Sequence, residues 1–208
     1  VEERYRLGLA VSPKLYAQRS YPPLRLRAPA SGSLIAHTED DSLDLVPGED
    51  GWVDVPTHRS LRVLVERSEV DLRADLAQLG EVPSLLEIYL DLEQHPGSLP
   101  ACCAALPQLE SWTLKTPNDG GVDLSPLRGL RRLRSLTFMG PASLAPLHGD
   151  CARLEDLDVF RWSDLSSADW EWFQSLPRLQ ALSSYEPERP DRETLERLLR
   201  ISGLAQLW

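Results

Sequence analysis

Leu85-Leu86-Glu87-Ile88-Tyr89-Leu90 and Leu109-Glu110-Ser111-Trp112-Thr113-Leu114 share one pattern: Leu, two residues, an apolar residue, one residue, an apolar residue. The pattern continues as Leu133-Arg-Ser-Leu136-Thr-Phe138 and Leu154-Glu-Asp-Leu157-Asp-Val159. It starts earlier, as Leu61-Arg-Val-Leu64, and ends as Leu179-Gln-Ala-Leu182 and Leu204-Ala-Gln-Leu207. The first leucines lie 24, 24, 24, 21, 25 and 25 residues apart. A fixed period of this length marks a chain built from stacked units.

Each unit reads as a strand and a helical return. The residues after the first Leu alternate, as in a half-buried strand. A ladder with steps of three leads into the next unit: Leu76, Leu79, Val82; Leu124, Leu127, Leu130; Trp170, Phe173, Leu176; Leu195, Leu198, Ile201. Steps of three keep one face of an α or 3₁₀ turn pointed the same way. Pro83, Pro107 and Pro177 stand where such a turn must stop. Pro117-Asn118-Asp119-Gly120-Gly121 is a turn cluster. Asp191 suits a helix N-cap, and Glu193–Arg197 and Glu196–Arg200 have the i,i+4 spacing of ion pairs. A lone unit cannot bury its apolar face, so neighbours must stack.

These residues resemble leucine-rich repeats of the short bacterial type, over residues 61–208, in six to seven repeats of 21–25 residues. The resemblance implies an α/β solenoid with parallel strands on a concave face and helical or 3₁₀ returns on the convex one. The position eight after the first Leu, Asn or Cys in that family, holds Glu69, Glu93, Pro117, Pro141, Trp162 and Pro187 here. Glu66 and Ser184 replace the third apolar residue.

Residues 1–60 do not fit the period. Tyr5–Val11, Leu24–Arg27, Leu34–Thr38, Leu43–Val46 and Trp52–Val55 read as short strands between Pro and Gly turns. They suit a β-rich N-terminal cap that covers the first repeat, or a small β subdomain, over residues 1–60.

The chain has 208 residues, 42% of them hydrophobic, and a net charge of −10. That charge argues against nucleic-acid binding. No apolar run is long enough for a membrane span, and no signal peptide opens the chain. The three cysteines, Cys102, Cys103 and Cys151, make no disulfide framework and fit a reducing, cytoplasmic setting.

Catalytic signals are poor. His37, His58, His95 and His148 have no metal-ligand spacing, and His148 takes an inward repeat position. Cys103 and Cys151 replace Leu in the register, which leaves Cys102 as the more exposed thiol. Gly120-Gly121 lacks the spacing and Lys of a phosphate loop, and Glu39-Asp40-Asp41 lacks calcium-loop spacing. Asp156 and Asp158 have no third group for acid–base work. The sequence thus predicts no enzyme, no cofactor and no metal; an enzyme with a site in residues 1–60 or at their junction with the repeats ranks last among the readings.

Alternation instead points to a binding face. Residues two, four and six after each first Leu face outward. In the first unit these are Val63, Val65 and Arg67. Across the others they include Tyr89, Asp91, Lys115, Met139, Asp156, Asp158, Phe160 and Tyr185, with Trp162 at the rim. Exposed aromatics beside charge are the composition of interface hot spots. The competing reading packs Phe160 and Trp162 over the rim against the loop at 163–169.

The leading functional reading is a cytosolic bacterial protein-interaction module. Within it, an acidic inhibitor or immunity-type protein facing a basic target is one case, since acidic steering speeds capture. A start at Val1 and a stop at Trp208 also suit a recognition or scaffold module of a larger effector or complex.

Overall fold

The computed structural model describes residues 24–30, 32–37, 42–55, 60–65, 72–185 and 190–207. The expected strand at Tyr5–Val11, the acidic stretch Glu39-Asp40-Asp41, and Glu66, Arg67, Glu69, His58, Pro187 and Trp208 lie outside them.

Seven strands follow one another through the repeating region: β5 (Ser60–Val65), β6 (Leu85–Asp91), β7 (Ser111–Lys115), β8 (Ser135–Phe138), β9 (Asp156–Val159), β10 (Ala181–Ser184) and β11 (Gln206–Leu207). Each pairs in parallel with the next, so spatial order equals chain order. Parallel neighbours require a crossover, and each return supplies it. Four returns are α-helical: α1 (Leu72–Leu79), α2 (Leu99–Ala105), α3 (Ser167–Ser175) and α4 (Arg192–Leu198). Tighter 3₁₀ turns occur at Ser125–Gly129, Ala145–Leu147 and Trp162–Asp164. Pro126 and Pro146 sit in the first turn of the first two, where the missing N–H costs nothing.

The N-terminal strands are β1 (Leu24–Arg27), β2 (Gly32–His37), β3 (Ser42–Leu45) and β4 (Trp52–Val55). They overturn the expectation of a leucine-rich-repeat solenoid carrying a separate cap. β2 pairs antiparallel with β5 along its whole length, and β3 pairs antiparallel with β2. Among the described residues the main sheet is therefore one open, mixed, mostly parallel sheet of nine strands, ordered β11-β10-β9-β8-β7-β6-β5-β2-β3. The fold is α/β, but two of the strands read as a cap, β2 and β3, are members of the sheet. The physical reason is complementary alternation. Leu34 and Ala36 lie opposite Val63 and Leu61, and all four are buried on one side. Gly32 permits the approach, since a Cβ there would fall 1.5 Å from the Leu64 carbonyl oxygen. Among the described residues, β1 and β4 stand apart as a two-stranded antiparallel ribbon. It rests on the return side, where Gln78 of α1 donates to the Arg27 carbonyl at 2.6 Å and Asp75 accepts from the Ala30 N–H at 3.2 Å.

The core lies between sheet and returns. Ile88, Trp112, Leu136, Leu157 and Leu182 are paired strand to strand, and all are buried. Leu79, Leu106, Leu127, Leu147 and Phe173 meet them from the returns. Two inward assignments change here. Cys102 is fully buried, not exposed, because α2 presents Leu99, Cys102, Cys103 and Leu106 as one helical stripe. Leu195 is exposed, whereas Leu198 and Ile201 are buried.

Candidate interaction face

The sheet surface opposite the returns carries the alternate residues of each strand. In β9 these are Asp156 and Asp158, between the core residues Leu157 and Val159. Pairing extends them into rows. One runs Glu87, Ser111, Ser135, Asp156, Ala181; the next runs Tyr89, Thr113, Thr137, Asp158, Ser183.

The first strand departs from its expected register. A shift between Leu61 and Arg62 sets Arg62 opposite Glu87 and Leu64 opposite Tyr89. Leu61, Val63 and Val65 are then the core residues, so Val63 and Val65 do not belong to the face. The signal was the apolar set Leu61, Val63 and Val65 at steps of two, which the repeat template obscured because Leu64 is apolar as well.

Burial divides the face. Over β5–β7 it is closed: Arg62 is 1% exposed, Glu87 0%, and Tyr89, Asp91, Ser111 and Thr113 are all buried. Charges there are matched. Arg62 Nε lies 3.3 Å from Glu87 Oε1, and Lys115 Nζ lies 2.9 Å from Asp91 and 2.7 Å from Glu93. Hydrogen bonds to Glu93 and then Asp91 hold the Lys115 ammonium well above the ordinary lysine range. Asp91 also accepts from the Glu93 and Gln94 N–H groups at 3.0 and 3.2 Å, closing the turn after β6. Tyr89 and Asp91 are thus buried on this part of the sheet, and Lys115 is half-buried and ion-paired.

Over β8–β10 the face opens. Met139, Asp156, Asp158, Phe160 and Ser183 are half-buried, and Tyr185 is 42% exposed. The Phe160 and Tyr185 rings stack at 6.4 Å and 23°. Their backbones are pinned: Tyr185 N–H donates to the Val159 carbonyl at 2.7 Å, and Ser184 Oγ donates to the Phe160 carbonyl at 3.1 Å. The Arg161 guanidinium sits 4.9 Å from the Phe160 ring centre, a cation–π distance. Asp158 accepts from Thr137 Oγ1 at 3.0 Å. Burial pushes its carboxyl up to about 6; the Thr137 hydroxyl opposes the shift and the like charge of Asp156 adds to it.

Of the residues chosen from sequence, the structure gathers Met139, Asp156, Asp158, Phe160 and Tyr185 onto this open part. Trp162 is not with them. It is 6% exposed, stacks on Trp170 at 6.1 Å, and belongs to the core. This is the rim-folding alternative for Trp162, while Phe160 stays on the face. Arg161 was missed, because its place depends on the ring beside it rather than on strand alternation.

A cleft at the carboxyl ends of β7–β9 is lined by Gly120, Pro141, Ser143, Asp164, Ser166 and Asp169. Open α/β sheets hold ligands at such ends. Two of its polar residues, Ser166 and Asp169, are committed to each other, however. Asp169 accepts from the Ser166 N–H and hydroxyl, both at 2.7 Å, and Ser166 Oγ accepts from the Asp169 N–H at 3.2 Å. This is the capping box of α3. His148 Nε2 meets the other Asp169 oxygen at 2.7 Å. The carboxylate stands between Ser and His, so the arrangement is not that of a base activating a nucleophile.

The chain matches no protein-family model, and no curated protein matches it in sequence; neither comparison identifies a leucine-rich-repeat protein. Among the described residues, no helix is long and apolar enough to cross a membrane.

Proposed function

We propose that this chain is a binding protein that docks another protein on the β8–β10 part of its sheet face and performs no chemistry of its own. The observation that carries the reading is the stacked Phe160–Tyr185 pair beside Asp158. Large, rigid aromatics supply interface area at low entropic cost, and these two have their backbones tied to the sheet. Three cysteines without disulfides support a reducing compartment, and the cytoplasm is the setting proposed.

The test places a photo-crosslinking phenylalanine analogue at Tyr185, with Glu171 on α3 as control position. A partner trapped from Tyr185 and not from Glu171 is then purified and titrated. Phe160→Ala and Tyr185→Ala should each weaken it by about tenfold or more. A partner whose affinity ignores both substitutions removes the face from consideration.

A further inference from the structure

Asp158 poses the sharpest electrostatic question on this surface. It is half-buried, with Asp156 two residues before it on the same face. Its one hydrogen bond among the described residues comes from Thr137, a neutral donor. Among the described residues no ion pair reaches it, whereas two other acids on this sheet face have a cation beside them: Glu87 has Arg62 and Asp91 has Lys115. A carboxylate withdrawn from water without a counter-ion is costly and recurs where a site awaits its ligand.

Resting on the docking face argued above, we infer that the occupant is a basic segment of a partner protein, with a Lys or Arg side chain entering beside Asp158. Its cation would supply the missing charge, and its aliphatic stem would lie along Phe160 and Tyr185, as long basic side chains cover apolar surface. Aromatic faces also attract cations, and Arg161 over Phe160 shows this ring already doing so within the chain. The dimensions suit a short segment. From Asp156 to Phe160 is four steps along the strand, roughly 13 Å, and β8–β10 are about 10 Å across. Charge excludes the alternatives. An acidic segment would meet Asp156, Asp158 and a chain of net charge −10. A purely apolar one would bury Asp158 further with no cation beside it, at the cost of taking up a proton.

The probe is a random short-peptide library displayed on phage and selected against the full chain. Asp158→Asn, Phe160→Ala and the charge control Glu171→Gln are used in parallel, each first shown to unfold cooperatively. The expected result is enrichment of Lys or Arg beside apolar residues. The selected peptides should bind Asp158→Asn about tenfold more weakly and Phe160→Ala more weakly still, with Glu171→Gln like wild type. Peptides that need Phe160 but carry no Lys or Arg, or that bind Asp158→Asn unchanged, overturn the basic occupant and leave the docking face standing. Basic peptides weakened equally by Asp158→Asn and Glu171→Gln report only overall charge and overturn it too. If no enriched peptide depends on Phe160, the docking face falls and this inference with it.

Discussion

Replacing Asp158 with Asn should stabilise the protein near neutral pH. In the folded chain the carboxyl sits at about 6 against an ordinary 3.8. The folded state therefore holds the proton more tightly than the unfolded state. Stability falls as pH rises from about 4 to about 6, and the penalty is complete above that. At about 1.4 kcal/mol per pH unit, the displacement corresponds to an upper bound of about 3 kcal/mol. Asn removes the charge while its amide oxygen can still accept from Thr137 Oγ1. Urea unfolding followed by circular dichroism, on both proteins across this range, measures Asp158 together with its coupling to Asp156, because the distant carboxylates cancel in the difference. Near pH 8 the variant should be more stable by about 1–3 kcal/mol, and the gap should shrink steadily towards pH 4. A variant no more stable at pH 8, or a gap that ignores pH, would refute the claim that Asp158 is an uncompensated charge.

Gly32→Ala forces a Cβ to within 1.5 Å of the Leu64 carbonyl oxygen, so it should cost about 1–3 kcal/mol and expose β2 amides to hydrogen exchange. Unchanged protection would argue against the β2–β5 pairing. Trp162→Ala empties a core position stacked on Trp170 and should cost about 3–5 kcal/mol in denaturant unfolding, whereas Tyr185→Ala should cost far less. Burial pushes the Cys102 and Cys103 thiols up to about 12 and Cys151 to about 11. A chromogenic disulfide reagent should therefore label Cys151 first and the other two only on unfolding.

What could be read from sequence was what depends on neighbours along the chain. β1 and β4 fall on the residues expected, and the core rows follow from the period. Gly120 N–H donates to the Pro117 carbonyl at 3.0 Å in the expected turn. Asp191 caps α4, accepting from the Thr194 N–H at 2.8 Å, and Arg197 pairs with Glu193. Glu196, expected to pair with Arg200, meets Arg192 instead. What escaped depends on partners distant in sequence. Nothing within β2 announces that it will pair with β5 rather than cap it, and that pairing decides between a mixed sheet and a solenoid. The candidate site was half legible. Alternation placed Asp156, Asp158, Phe160 and Tyr185 on one surface, but it cannot tell that Tyr89 is covered there or that Trp162 turns inward.

The strands keep step while the returns do not. Between β8 and β9 the crossover needs only the three-residue turn Ala145–Leu147; between β9 and β10 it includes the nine-residue helix α3. Length differences are thus absorbed on one side of the molecule alone. A residue inserted near Asn118 would lengthen a loop. One inserted just before Asp158 would swing that carboxylate into the core and bring Leu157 or Val159 outward. Over generations, such a chain can gain and lose residues along its back with little penalty, while its front changes only by substitution. The character of that front would then change by exchanging side chains at fixed addresses.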